Sequence, residues 1–160
     1  MRLDDFDQPI GDNAATGYQE IPMGTHQVFI SKFEIKQTKP QDGSQPEDKF
    51  CFQLLKLDPN PQNKWMVIYK DFIIRDTVVP YLNAFLLLCG VPEDAKLSSF
   101  KAPTAREMLI DIQLQMKAYK KSGEEKIKII FERKIEVPNF ETLKAIALEG
   151  RQEKKNNVPF

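Results

Sequence analysis

A chain of 160 residues, 41% of them hydrophobic, can bury one substantial core but is too short for two independent domains of ordinary size. Its 23 basic and 23 acidic residues cancel, so any nucleic-acid site must be a local patch rather than the product of bulk charge. The chain has no long unbroken apolar run, and its N-terminus lacks a basic segment followed by an apolar one. We therefore expect one intracellular domain that does not enter a membrane.

The first 20 residues mix polar residues with isolated apolar ones and show no period, which predicts a flexible arm. This arm carries one basic residue, Arg2, against five acidic residues, so its net charge is −4 and the remainder carries +4. The acidic residues are Asp4, Asp5, Asp7, Asp12 and Glu20. Such an arm is either a solvated tail or an intramolecular competitor for a basic surface.

Three strands are predicted next, over 26–36, 49–57 and 64–75, with loops rich in Pro, Gly, Asp and Asn between them. The apolar residues of the first strand fall on both parities, which predicts a bend or a β-bulge. The second strand is apolar on both parities, so the sequence does not decide which of its faces points inward. The third is rich in β-branched and aromatic residues. Together they predict a three-stranded meander.

A helix is predicted after the third strand. Asp76 or Thr77 is expected to cap it, Pro80 lies in its first turn, and Gly90 ends it. Its apolar stripe, spread over Tyr81–Cys89, is broad. We therefore expect this helix to fill a core rather than to lie on a surface.

A long β-hairpin is predicted after a connection that contains one helical turn. Apolar and polar residues alternate over 108–118 and again over 127–135, on either side of the turn Lys120–Glu125. Each strand should therefore have one buried and one solvated face. A short helix ended by Gly150 follows the hairpin.

The predicted fold is mainly β, a five-stranded OB-type Greek-key barrel with a helix between strands 3 and 4 and a short C-terminal helix. A small open sheet with helices on one side is the alternative. The barrel is preferred because all five strands are half apolar and the interposed helix is strongly apolar. The predicted segments are a flexible acidic arm, an OB-fold domain, a C-terminal helix and a flexible tail, over 1–20, 21–137, 138–150 and 151–160.

The reactive residues argue against catalysis. The only histidine, His26, has no neighbouring Ser or Cys that would suggest a nucleophile, and it is expected to be structural or solvent-facing. Cys51 and Cys89 lie in apolar runs and are expected to be buried free thiols, without the spacing of zinc ligands. No P-loop or dinucleotide fingerprint is present. We expect no enzyme, no cofactor and no metal.

A binding function has more support, because a single-strand binder needs lysines to track phosphates and flat aromatic rings on which bases stack. In OB barrels, ligands cross strands 2 and 3 between the loops that join strands 1 to 2 and 4 to 5. The predicted nucleic-acid-binding residues lie on the third strand and on the hairpin. They are Trp65, Tyr69, Lys70, Lys117, Tyr119, Lys120, Lys121, Lys126 and Lys128.

A structural interpretation of these same residues is also open. Trp65 and Tyr69 share their parity with Val67 and Ile73, so both rings would face the core if that side of the strand is buried. Lysines on the wet face of a hairpin also keep a protein soluble and protect a sheet edge.

Three segments resemble the OB-fold single-stranded DNA-binding proteins of bacteriophages and mobile elements. They are Ile21–Val28, Phe50–Leu54 and Leu87–Val91, and the resemblance covers residues 21–136 as a pattern of elements. It implies an OB barrel that binds single-stranded DNA.

The C-terminal residues Val158, Pro159 and Phe160 are similar to the terminal Pro-Phe tip of bacterial single-strand binders. In those proteins the terminal ring enters an apolar pocket of a replication or repair enzyme and the carboxylate meets a basic residue. This chain departs from the pattern at 154–157, where two lysines and two asparagines replace the usual acidic run. The resemblance implies that replication or recombination proteins bind the tip.

The expected function is sequence-tolerant single-stranded DNA binding in phage or mobile-element replication or recombination, in the cytoplasm of a bacterial host. Oligomeric state, including a homo-oligomer, and DNA versus RNA preference stay open. One alternative is a non-catalytic structural or adaptor protein that binds another protein through its barrel, apolar helix or tail. Another is a metal-dependent nuclease. Its carboxylates, which are better explained as solvated acids, would be Asp58, Asp71, Asp76, Asp111 and Glu132.

Overall fold

The computed structural model describes residues 21–59 and 67–156, with side chains through residue 149. This part of the chain is mainly β, with five antiparallel strands in one curled sheet and three α-helices beside it. The elements in chain order are β1 (Gly24–Gln37), β2 (Asp48–Lys56), β3 (Val67–Ile73), α1 (Val79–Leu88), a 3-10 helix (Leu97–Lys101), α2 (Pro103–Glu107), β4 (Gln113–Tyr119), β5 (Lys128–Lys134) and α3 (Phe140–Asn156). The predicted order of strands and long helices is confirmed.

The strands lie in the order β3-β2-β1-β4-β5, so β3 and β5 are the two edges of the sheet. The central strand β1 is shared between two partners: Gly24–Phe29 pairs with β4, and Val28–Gln37 pairs with β2. The register shifts between Ile30 and Lys32. This confirms the predicted irregularity and sharpens the local bend of β1.

The inner face of the sheet carries the main core. On β2 this face holds Phe50, Phe52 and Leu54, which answers the question that the sequence left open. Helix α1 covers the inner face, and its Phe85 ring lies 4.9 Å from Phe52, 5.6 Å from Phe72 and 5.1 Å from Phe131, between ring centroids. Helix α1 therefore links both edge strands through one side chain, and the prediction that this helix fills a core is confirmed.

A second, smaller cluster lies on the outer face. Helix α3 packs there on Phe29 of β1 and Leu55 of β2, and the Phe29 and Phe140 rings meet edge to face at 5.4 Å. Lys144 of α3 also donates a 2.8 Å hydrogen bond to the carboxylate of Asp111. Because α3 crosses the outer face at the middle of β1, it divides that face into two separate areas.

The predicted start of the fourth strand is wrong. Residues before Gln113 form α2 and a turn, and Met108 is 74% exposed where the alternation expected it to be buried, whereas Leu109 is 2% exposed. Pro103 begins the helix, since its missing N–H costs nothing at that position. Asp111, with φ at 71°, then reverses the chain so that β4 can join β1.

Two predicted helix ends are also wrong. Val78, rather than Asp76 or Thr77, precedes α1, and its aliphatic side chain cannot cap the helix. The Val78 and Val79 amides donate instead to the Arg75 carbonyl. At the other end of the chain, α3 continues past Gly150 to Asn156. An internal glycine costs only about 1 kcal/mol in a helix, and the residues around it are good helix formers.

The two thiols have different environments. Cys89 is buried as predicted, and burial raises its pKa to about 12. Cys51 is only half-buried, so its predicted burial is wrong: it lies on the outer face of β2, and partial burial, followed by the charge of Asp71, raises its pKa. Both effects deplete the reactive thiolate.

Alkylation by iodoacetamide at pH 8 should therefore be slow at both cysteines of the folded protein and slowest at Cys89. In urea both thiols should react at the ordinary rate, because the barrier in the folded protein is burial. Peptide mass spectrometry over time would measure the two rates separately. Rapid labelling of Cys89 without denaturant would contradict the packing of α1.

Candidate functional site

Tyr69 lies on the outer face of β3 and is 62% exposed. It pairs with Gln53 of β2, which in turn pairs with Lys32 of β1. These three strands line a shallow cleft of about 290 Å³ on the part of the outer face that α3 leaves uncovered. The charged side chains that line this cleft are Lys32, Glu34, Lys36, Lys49 and Asp71. The interpretation that Tyr69 faces the core does not apply.

Each lysine of this cleft is paired with a carboxylate, although Lys32 and Lys36 share one. Glu34 accepts ion pairs from Lys32 at 3.0 Å and from Lys36 at 3.2 Å, and Lys49 lies 3.6 Å from Asp71. The hydrogen bond from Lys32, followed by the one from Lys36, holds the pKa of the Glu34 carboxyl below its usual value. An incoming phosphate would have to compete with these carboxylates for each lysine.

The hairpin carries the other predicted residues at its distal end. We call Lys117, Lys120, Lys121, Lys126 and Lys128 the lysine tip. Two acidic residues accompany these five lysines, and one of them, Glu124, pairs with Lys128 at 3.1 Å. Within the described ranges, none of the other four lysines makes an ion pair. Tyr119, opposite Lys128 in the ladder, is half-buried rather than fully exposed.

Lys70 lies on the opposite side of β3 from Tyr69. Its ammonium is 5.2 Å from the centroid of the Phe72 ring. It lines a cleft of about 340 Å³ between the two edge strands, and Ile129 and Ile130 of β5 line the opposite wall. We call this gap between β3 and β5 the open side of the sheet. The fold thus places Lys70 next to the first residues of β5.

The structure does not place Tyr69 and the lysine tip on one continuous outer surface. Tyr69 is level with Lys32 of β1, whereas Lys117 is level with Thr25. At about 3.3 Å per residue these two levels are roughly 20 Å apart along β1. Phe29, under helix α3, lies between them. On the open side, by contrast, Lys70 of β3 and the residues that follow Lys128 in β5 line the same cleft.

Several predicted residues fall outside the described ranges. These are Trp65 of the third strand and the C-terminal residues Val158, Pro159 and Phe160.

Sequence reasoning missed the charged cleft around Tyr69. Its signal is the alternation of Lys32, Glu34 and Lys36 along the second half of β1, which puts three charges on one face. The bulge before Lys32 hid this signal, because it reverses which parity faces outward.

No protein-family model and no curated protein sequence matches this chain. In the described part of the chain, no group of three or more His, Cys, Asp or Glu side chains is arranged to hold a metal ion. None of the helices described is both long and apolar enough to span a bilayer. The site is therefore interpreted from its geometry and charge.

Proposed function

We propose that this chain binds single-stranded DNA without sequence preference and without catalysis, through the lysine tip and the open side of the sheet. The carrying observation is that four lysines of the tip have no acidic partner among the described residues, whereas those of the outer cleft are paired. A lysine contributes most to the free energy of binding a phosphate when no carboxylate must be displaced first. Each phosphate neutralised also releases counterions, which provides most of the affinity of sequence-tolerant binding.

The open side of the sheet offers a path for the bound single-stranded DNA. From the tip, the backbone of a bound strand would pass the start of β5 and reach Lys70 across the cleft. Tyr69, the preceding residue on β3, then offers an exposed ring at the same edge. Lysines followed by an aromatic ring are the combination that single-strand binding uses.

The finer architecture belongs to this proposal. We infer that the sheet is an OB-type Greek-key barrel that stays open between β3 and β5. The strand order and the position of α1, between strands 3 and 4 in the chain and against both edge strands in space, support this inference. The resemblance of Ile21–Val28 and two further segments to phage binders supports a role in phage or mobile-element replication or recombination.

The test is a double charge reversal at the tip, Lys120→Glu with Lys121→Glu. We expect the affinity for oligo-dT at low salt to fall roughly tenfold or more. The slope of log affinity against log salt should weaken by about 1.4, from two lost phosphate contacts on a single strand. Fluorescence anisotropy of a labelled oligo-dT at several salt concentrations would measure both quantities.

The matched control is Lys96→Glu with Lys101→Glu, which makes the same change in net charge at two exposed positions, one just before the 3-10 helix and one at its last residue. The control should lose less than threefold in affinity. Equal losses in the two variants would reduce the effect to net charge, and an absence of oligo-dT binding by the unmodified chain at low salt would refute the proposal. Cleavage of the oligonucleotide on adding magnesium or manganese would instead favour a nuclease.

A protein-binding role is the second candidate, favoured by apolar exposure on the side away from the tip. Met108 is 74% exposed beside a cavity of about 230 Å³, and Leu87 of α1 is 50% exposed nearby. An adaptor would use this surface. Capture of a protein partner that survives nuclease treatment and is lost in Met108→Ser, with oligo-dT binding unchanged, would support it.

A further inference from the structure

We propose that the acidic arm, residues 1–20, docks on the lysine tip of its own chain and competes there with nucleic acid. The competition rests on the proposed function, whereas the docking of the arm stands on charge and position alone. The arm would act as a tethered, salt-sensitive mimic of the phosphate backbone.

The arm joins the domain close to the lysine tip. Ile21 packs against the main core, and the His26 ring donates a 2.6 Å hydrogen bond to the Pro22 carbonyl, so the chain is held firmly where β1 begins. Thr25 of β1 pairs with Lys117 of β4. The arm therefore leaves the domain beside the base of the lysine tip rather than at a distant corner.

The arm and the lysine tip carry opposite charges. The arm has a net charge of −4, and the tip combines five lysines with two glutamates. Four of those lysines have no ion pair among the described residues. The lysines of the outer cleft, by contrast, already have carboxylate partners. An acidic segment of this chain therefore gains the most favourable electrostatic energy by binding at the tip.

The reach of the arm is sufficient. Asp12 is eight residues from Glu20, so it can lie up to about 26 Å from the point where the arm joins the body. The tip extends from Lys117 to Gly123, roughly 20 Å if fully extended. Asp12 can therefore meet lysines at the far end of the tip, and Asp4 to Asp7 have still more length available.

The strength of the contact sets what it can do. A tethered segment acts at an effective concentration on the order of millimolar. Even a site that binds it weakly is therefore occupied much of the time. Single exposed ion pairs are weak and screened by salt. Several acting together should lower nucleic-acid affinity roughly tenfold at low salt and hardly at all at high salt. The arm should thus compete with DNA without blocking it.

The experiment compares the full chain with a full-length neutral-arm variant and a control that removes as many acidic residues elsewhere. The neutral-arm variant carries Asp4→Asn, Asp5→Asn, Asp7→Asn, Asp12→Asn and Glu20→Gln. The control carries the corresponding amides at five exposed acidic positions, Glu93, Asp94, Glu107, Glu136 and Glu149. Both variants change the net charge equally, so long-range attraction of DNA rises equally in both.

Two readouts are needed. Affinity for labelled oligo-dT should rise roughly tenfold in the neutral-arm variant at low salt, rise less than threefold in the control, and converge for all three proteins at high salt. Acetylation by an N-hydroxysuccinimide ester, without DNA, should be faster at the tip lysines of the neutral-arm variant and unchanged at Lys96 and Lys101. Peptide mass spectrometry would give the rate at each lysine.

The outcomes separate the two claims. Equal affinity and equal acetylation in the wild-type chain and the neutral-arm variant would overturn the arm inference and leave the proposed function standing. Faster acetylation of the tip without any oligo-dT binding would support docking of the arm and refute the proposed function. A difference in acetylation that disappears on dilution would place the arm on a second copy and overturn the intramolecular contact.

Discussion

Replacing Phe85 by alanine is expected to lower the free energy of unfolding by about 3–5 kcal/mol, as for other large aromatic residues removed from a core. The side chain is 5% exposed, and its ring touches rings on β2, β3 and β5. Among the described residues, β3 and β5 have no hydrogen-bonded strand on their open side. Their association across the gap therefore depends on α1, and Phe85 is its central contact.

Urea denaturation followed by far-UV circular dichroism would measure this loss, and hydrogen exchange would locate it. Amides of β3 and β5 should lose protection together, ahead of those in β1. Leu87→Ala is the matched control on the same helix, because that side chain is half exposed, and it should cost less than about 1 kcal/mol. A loss below 1 kcal/mol in Phe85→Ala would contradict the role of α1 as the link between the edge strands.

Removing the ring of Tyr69 should weaken oligo-dT binding by about 5- to 150-fold, since stacking on one aromatic side chain contributes roughly 1–3 kcal/mol per base. The residue is the most exposed of the predicted stacking residues whose side chains are described. Anisotropy titrations of Tyr69→Ala at one fixed salt concentration would measure the loss. The salt dependence should stay as in the unmodified chain, because no phosphate contact is removed.

Tyr69→Phe separates stacking from the hydroxyl group. It keeps the ring and should retain affinity within about twofold, whereas a loss as large as that of the alanine variant would attribute the effect to the hydroxyl. Thermal unfolding of both variants would show that the fold is intact. Unchanged oligo-dT affinity in Tyr69→Ala would remove the edge of β3 from the proposed path and confine binding to the lysine tip.

Much of the fold could be predicted because its signals are local. Alternation over 113–119 and 128–134 marks β4 and β5, and Gly90, with φ at +96°, ends α1 where the sequence indicated. Residues 108–112 were misassigned because apolar residues occur there on both parities, so that a short helix and a strand look alike. Pro103 was the signal in favour of the helix.

The site could be predicted in part. The lysines of the tip follow from the polar face of the alternating hairpin, which is a property of the local sequence. That four of them make no ion pair with a described residue does not follow from the sequence, because it depends on where the carboxylates of distant segments lie in the fold. Lys49 and Asp71 show the reverse case: they lie 22 positions apart in the chain and meet only because β2 and β3 are paired.

By itself, the sequence determined the number and order of the strands, the apolar helix between the third and fourth strands, an irregularity in β1 and the basic hairpin. Only the tertiary structure decided that Tyr69 faces outward, that Lys70 meets β5 across the open side, and that α3 separates Tyr69 from the lysine tip on the outer face. The reason is physical. Periodicity and turn residues act over a few neighbours, whereas the facing of a strand and the pairing of charges depend on which distant segments pack against it.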